Sequence, residues 1–343
     1  MGYLLFFEDG MIGISYTKGM TMSLNAIRSH VKDDMERVNQ LILARLAADI
    51  PLIDDLSQHI VASGGKRIRP LLLLLTAKAL QYQGDTHILL AAIVEFIHTA
   101  TLLHDDVVDD SSLRRGQSTA NSIWGNEASV LVGDFLFSRA FQLMAEVQNL
   151  KVISILATAS NTIAKGEVLQ LVNCHDTGTS EARYFEVISA KTAKLFSAAT
   201  QLAAVISHQS PEMEEKMRAF GHHLGLAFQL IDDALDYQGD TQELGKNVGD
   251  DLAEGKPTLP LIYTLAVGNE AEKAIIREAI EAGGTTLLTE IQEALVRNKA
   301  IEYTHQRASM EVKLACAALE TVANSPYKNA LLALADFTIS RCN

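Results

Sequence analysis

Leu102–Asp110 reads LLHDDVVDD, and Phe228–Asp236 repeats its form as FQLIDDALD. Residues four apart on a helix lie one turn apart on the same face. Each DDxxD therefore sets its first and last carboxylates side by side, Asp105 with Asp109 and Asp232 with Asp236, with Asp106 and Asp233 next to the leading residues. Oxygen donors at that spacing suit hard cations such as Mg²⁺ and, through the cations, a diphosphate. Carboxylates this close repel, so a fold that keeps them has positive charge to set against them. The two stretches are 127 positions apart and each follows a long apolar run, which points to two helices facing each other across one cavity. One DDxxD alone would read equally well as a solvated helix face; a matched pair reads as a site.

The segments around the first cluster supply the positive charge. In SGGKRIRPLLLLL (63–75), Gly64 and Gly65 permit a tight turn and Pro70 suits the first turn of a helix. Lys66, Arg67 and Arg69 are thereby gathered at a helix N-terminus, where free N–H groups already favour an anion such as phosphate. His98 lies seven residues before Asp105, nearly two turns away on the same side. Arg114 and Arg115 come after the cluster, with guanidinium groups able to bind diphosphate oxygens bidentately.

Farther on, ISAKTAKLF places Lys191 beside Thr192, an ammonium and a hydroxyl that could hold a leaving group and lean over a nascent cation. Gln229, three residues before Asp232, turns its amide to the same cavity. The Gly-rich loop LGKNVGDDLAEGKPTLPL brings Lys246 and Lys256 after the second cluster, where they could close over a bound diphosphate. In GEVLQLVN (166–173), Glu167 and Gln170 are placed either to line a polar pocket or to tie helices together, the second reading being preferred, and Ser180 and Ser210–Pro211 read as helix starts.

The totals narrow the class. A formal charge of −13 with no basic stripe and only 6% aromatic residues argues against nucleic acid as a partner. Cys174, Cys316 and Cys342 are widely spaced, odd in number and without CxxC, which fits reduced thiols in the cytoplasm. No stretch is expected to reach the ~18 apolar residues of a membrane span. Helical periodicity covers most of the chain and no period-2 pattern stands out, so the fold expected is all-α, a large antiparallel bundle around a central cavity. Six prolines and no linker-like cluster leave residues 23–343 as one domain. Residues 1–22 carry an apolar patch but no basic region before it, and read as an extension, either a frayed tail or an upstream-start artefact.

Taken in order and spacing, GGKRIRP, DDxxD followed by RRG, KT, and FQLIDDALD with a later GKPT resemble the trans-prenyl diphosphate synthases over about residues 25 to 340, most of all the octaprenyl diphosphate synthase branch, which makes quinone side chains. The resemblance implies a Mg²⁺-dependent homodimer that adds isopentenyl diphosphate stepwise to an allylic diphosphate such as farnesyl diphosphate. It implies that Asp105 and Asp109 hold two Mg²⁺ ions on the allylic diphosphate and Asp232 a third, supported by Asp106, Asp233 and Asp236. By the same carry-over, Arg114, Lys191 and Lys256 grip that diphosphate with Lys246 nearby. Lys66, Arg69, His98 and Arg115 bind isopentenyl diphosphate, and Thr192 and Gln229 sit by the carbocation. In the family, bulky aromatics about one turn before the first cluster stop elongation early. Ala100 and Thr101 are small, which implies a long product whose release is helped by transient contact with a membrane or detergent. Beside a shorter-chain synthase, two alternatives fit less well. A class I terpene cyclase would not need Lys66, Arg69, His98 and Arg115, and a non-catalytic subunit of a heteromeric synthase would be expected to lose parts of the clusters, which are intact here.

Overall fold

The computed structural model describes residues 22–62, 65–114, 116–238 and 248–340. Arg115, Lys246, Gly64, Cys342 and residues 1–21 of the expected extension lie outside the described residues. In chain order the helices are α1 (Leu24–Ser29), α2 (Lys32–Leu46), α3 (Pro51–Ala62), α4 (Ile68–Ala79), α5 (Thr86–Val108), α6 (Ala120–Trp124), α7 (Asn126–Glu146), α8 (Leu150–Asn173), α9 (Glu181–Ile188), α10 (Lys194–Ile206), α11 (Pro211–Gln238), α12 (Asp250–Ala253), α13 (Leu259–Val267), α14 (Glu270–Ala282), α15 (Leu288–Arg297), α16 (Ala300–Ala318) and α17 (Pro326–Ser340). The all-α expectation holds. The strands described are a two-residue hairpin, Leu113–Arg114 with Gln117–Ser118, directly after the first Asp cluster.

The core is set by helices apolar on every side. Leu71 to Leu75 of α4 are all fully buried, because α5, α10 and α17 pack around that helix. α5 also lies against α2 and α7, and α11 against α10 and α16. The clusters thus sit at the ends of two long core helices, α5 and α11, whose apolar stretches are packed into the core. Ser180 caps α9 by accepting from Arg183 N, and Ser210 accepts from Met213 N at the start of α11, as their positions implied. Met22, at the expected domain boundary, packs on the core.

One sequence expectation needs correcting. Thr86–Val108 and Asn126–Glu146 are long and apolar enough to cross a membrane by length and composition. Two-thirds of the first helix's apolar window is nevertheless buried against neighbouring helices, so its hydrophobicity is explained by its place in the core.

Candidate active site

Three cations meet the first cluster. Arg114 lies on the hairpin beyond α5 and folds back to donate from Nε to Asp106 Oδ1 at 2.7 Å, with a second guanidinium nitrogen 2.6 Å from the same oxygen. Lys191 Nζ lies 3.5 Å from Asp105 and 2.6 Å from Glu167, and Lys256 Nζ donates to Asp109 at 3.2 Å while also pairing with Glu254. The inner carboxylate is therefore buried under an arginine. The outer two are half-buried and meet lysines that reach in from the turn before α10 and from the segment after α12.

The electrostatics reflect this crowding. Burial, with repulsion from Asp105 and Asp109, raises the Asp106 carboxyl above its usual range despite Arg114. Burial works against the charged forms of Lys191 and Lys256, but the surrounding carboxylates overcome it and raise both. Burial first, then repulsion from Asp105 at Glu167 and from Asp109 at Glu254, pushes each of these two acids up to about 7 against the pull of its lysine.

The backbone explains how Lys191 arrives. Ser189–Ala193 is a single π-helical turn between α9 and α10, a wide turn of the kind found at functional sites. Neighbouring helices reach it closely only because they carry glycines there. A Cβ on Gly225 of α11 would lie 2.5 Å from Ala193 Cα, and one on Gly166 of α8 would lie 2.8 Å from the Lys191 backbone nitrogen. From this turn Thr192 donates to Gln229 Oε1 at 2.7 Å, Gln229 donates to Asp233 Oδ1 at 2.7 Å, and Tyr184 donates to Asp233 Oδ2 at 2.6 Å. Lys191, Thr192, Gln229, Asp233, Gln170 and Lys256 line one cavity.

The second cluster is built differently. Asp233 is buried and fully engaged, and burial with repulsion from Asp251 pushes it up to about 8 even though Tyr184 and Gln229 hydrogen bond to it. Asp236 is completely buried and accepts from Asp251 N at 3.1 Å, fixing the chain as it enters α12. Asp232 is half-buried and is the most accessible carboxylate of the three.

At the other end of the site, Lys66 is exposed and Arg69 sits 3.0 Å from His98 Nε2, with its guanidinium 4.7 Å above the Phe196 ring. Ala100 is fully buried in the core, and Thr101 is half-buried and hydrogen bonded to the His98 carbonyl. The tie expected of Glu167 is present as its ion pair with Lys191 across from α8, whereas Gln170 lines the cavity. Sequence reasoning misses Tyr184, Glu254, Gly166 and Gly225. Their signal is spacing to Lys191 and Lys256, and it is legible only once those lysines are placed.

Residues 50–297 match the polyprenyl synthetase family model, and the chain belongs to that family. It is 51% identical to the octaprenyl diphosphate synthase of Haemophilus influenzae over 93% of this chain and 98% of that one. It is 43% identical to the geranyl-diphosphate-specific all-trans-nonaprenyl-diphosphate synthase of Rhodobacter capsulatus, over 92% of this chain and 97% of that one. The crystal structure of a polyprenyl synthase from Caulobacter crescentus, complexed with calcium and isoprenyl diphosphate, superposes with a TM-score of 0.91 at 46% identity, covering 94% of this chain and 99% of that one.

Proposed function

We propose that this chain is a long-chain trans-polyprenyl diphosphate synthase. It adds isopentenyl diphosphate successively to an allylic primer, farnesyl diphosphate, to give octaprenyl diphosphate or a near neighbour for quinone side chains. The observation that carries this reading is the pairing of Lys191 and Lys256 with the outer carboxylates of one DDxxD while Arg114 takes the inner one. Such an arrangement presents two half-buried oxygen donors and two lysines to one anion.

The donor set fits Mg²⁺. That ion binds through one or two carboxylates together with substrate phosphates rather than in an all-protein cage. Among the described residues no cluster of three acids, histidines or cysteines forms such a cage. Asp105, Asp109 and Asp232 would hold the ions, three per site with substrate, backed by Asp236. Bound there, the metal supplies charge stabilisation for the departing diphosphate. The calcium and isoprenyl diphosphate of the Caulobacter relative support the assignment.

The chain's own groups do the rest. Glu167 and Glu254, whose carboxyls burial pushes up, hold Lys191 and Lys256 in place for the incoming phosphate oxygens. Thr192 and Asp233 hold the Gln229 amide in one orientation beside the place where the allylic cation develops. Lys66, Arg69 and His98 take isopentenyl diphosphate, together with Arg115, and Arg114 supports the allylic side. The departing pyrophosphate is the base that accepts the proton lost after each addition.

Homodimer formation is part of the proposal. Val168, Leu171 and Val172 form an exposed apolar stripe on α8, and Leu131 and Phe141 are exposed on α7. We place the enzyme in the cytoplasm, in keeping with three widely spaced cysteines and no CxxC, with product release helped by membrane contact, since each buried methylene is worth ~0.8 kcal/mol. The test is purified protein with Mg²⁺, farnesyl diphosphate and labelled isopentenyl diphosphate, with product length read by chromatography. A discrete long-chain product is expected; no incorporation would favour a non-catalytic subunit.

A further inference from the structure

GGKRIRP gathers three cations, but the structure gives the middle one a separate place. Arg67 adopts a left-handed backbone (φ 45°), which L-residues other than asparagine and aspartate rarely hold unless their surroundings impose it. Its side chain turns inward to an ion pair with Glu95 of α5 at 2.6 Å, with both side chains largely buried (14% and 10% exposed). The other Glu95 oxygen is buried without a hydrogen-bond partner among the described residues, and among them Arg67 is the cation paired with this carboxylate. Glu95 lies three residues before His98, about one turn along the same helix, and His98 in turn meets Arg69 at 3.0 Å. Two arginines, one on each side of Ile68, are thus bound to successive turns of α5. A third tether runs from Arg28 of α1 to the Lys66 carbonyl at 2.6 Å.

We infer that the buried Arg67–Glu95 ion pair positions the isopentenyl diphosphate subsite, fixing the turn that presents Lys66 and Arg69 without itself touching substrate. The inference rests on the proposed function, in which Lys66, Arg69 and His98 hold that substrate. The pair acts as a strut. It locks the left-handed turn at Arg67, so the cations on either side of it meet the diphosphate already arranged instead of being ordered by it. The allylic subsite, built on the π turn and the segment after α12, does not contain the strut.

Steady-state kinetics with each substrate varied in turn test this on Glu95→Gln and on the double variant Arg67→Met/Glu95→Met. Replacing a buried ion pair by apolar groups commonly leaves a fold intact, so the double variant keeps the test open if the single one is unstable. The KM for isopentenyl diphosphate is expected to rise about threefold in Glu95→Gln and about tenfold in the double variant, with the KM for the allylic diphosphate and kcat within about threefold of wild type. Arg67→Lys should recover most of the affinity. An unchanged KM for isopentenyl diphosphate, an equal rise for both substrates, or a loss confined to kcat would overturn the inference. Arg69→Ala, run alongside, separates the two failures. If it raises that KM while the strut variants do not, only the strut is wrong; if it leaves the KM unchanged, the subsite assignment falls and the strut with it.

Discussion

The two DDxxD clusters share a pattern of letters but not an environment. In the first, the outer carboxylates Asp105 and Asp109 are half-buried and face lysines, while Asp106 is sealed by Arg114. In the second, Asp233 and Asp236 are buried and engaged by the protein itself, by Gln229 and Tyr184 and by the backbone at Asp251, while Asp232 is half-buried. The same spacing thus gives, in one cluster, two half-buried carboxylates paired with lysines, the clamp of the proposed function, and in the other a scaffold of two buried carboxylates beside a half-buried Asp232. The cause lies in the chain just beyond each helix. A short hairpin returns an arginine to the first cluster, whereas the chain returns its own backbone to the second.

The sharpest way to break this contrast is to remove one carboxylate from each cluster. Asp105→Ala or Asp109→Ala should lower kcat/KM by about three orders of magnitude, ~4 kcal/mol of transition-state stabilisation, with little change in melting temperature. Asp236→Ala should instead show a stability loss of about 1–3 kcal/mol by denaturant unfolding, because it removes a fully buried carboxylate that accepts from the part-buried Asp251 N–H. Equal stability losses in the two clusters would erase the distinction between clamp and scaffold. Ala100→Phe probes the wall beneath the first cluster. It should shorten the product, read by chromatography, and the fully buried site should add an overpacking cost of about 1–3 kcal/mol. A product of unchanged length would mean that the growing tail does not pass Ala100.

The smallest effect is a pH dependence within the second cluster. Asp233 has its carboxyl raised from an ordinary 3.8 to about 8, with burial the main cause. Between those values the folded state keeps a proton that the unfolded chain has lost, so this group's contribution to stability falls as pH rises through the window. The metal-free wild-type protein should therefore lose more melting temperature between pH 5 and pH 8 than Asp233→Asn, which cannot ionise and can still accept from Tyr184. Parallel pH profiles would show that Asp233 is not held neutral.

The α-helical class, the two Asp clusters at the ends of long helices, the basic turn before α4 and the KT pair were all legible, because each rests on spacing along a helix or on residues adjacent in sequence. The sequence also named Arg114, Lys191 and Lys256 as cations of the site. It did not say that Arg114 takes the inner carboxylate and the lysines the outer ones, since 86 residues separate Asp105 from Lys191 and 147 separate Asp109 from Lys256. Arg67 shows the limit most plainly. Beside Lys66 and Arg69 it looks like a third phosphate ligand, and only the burial of Glu95 on another helix makes it a strut. Periodicity and local motifs act over a turn or two, so the chain by itself determined which side chains could form a site. Which of them face the ligand and which hold the fold was decided by packing and desolvation, which exist only once distant helices meet.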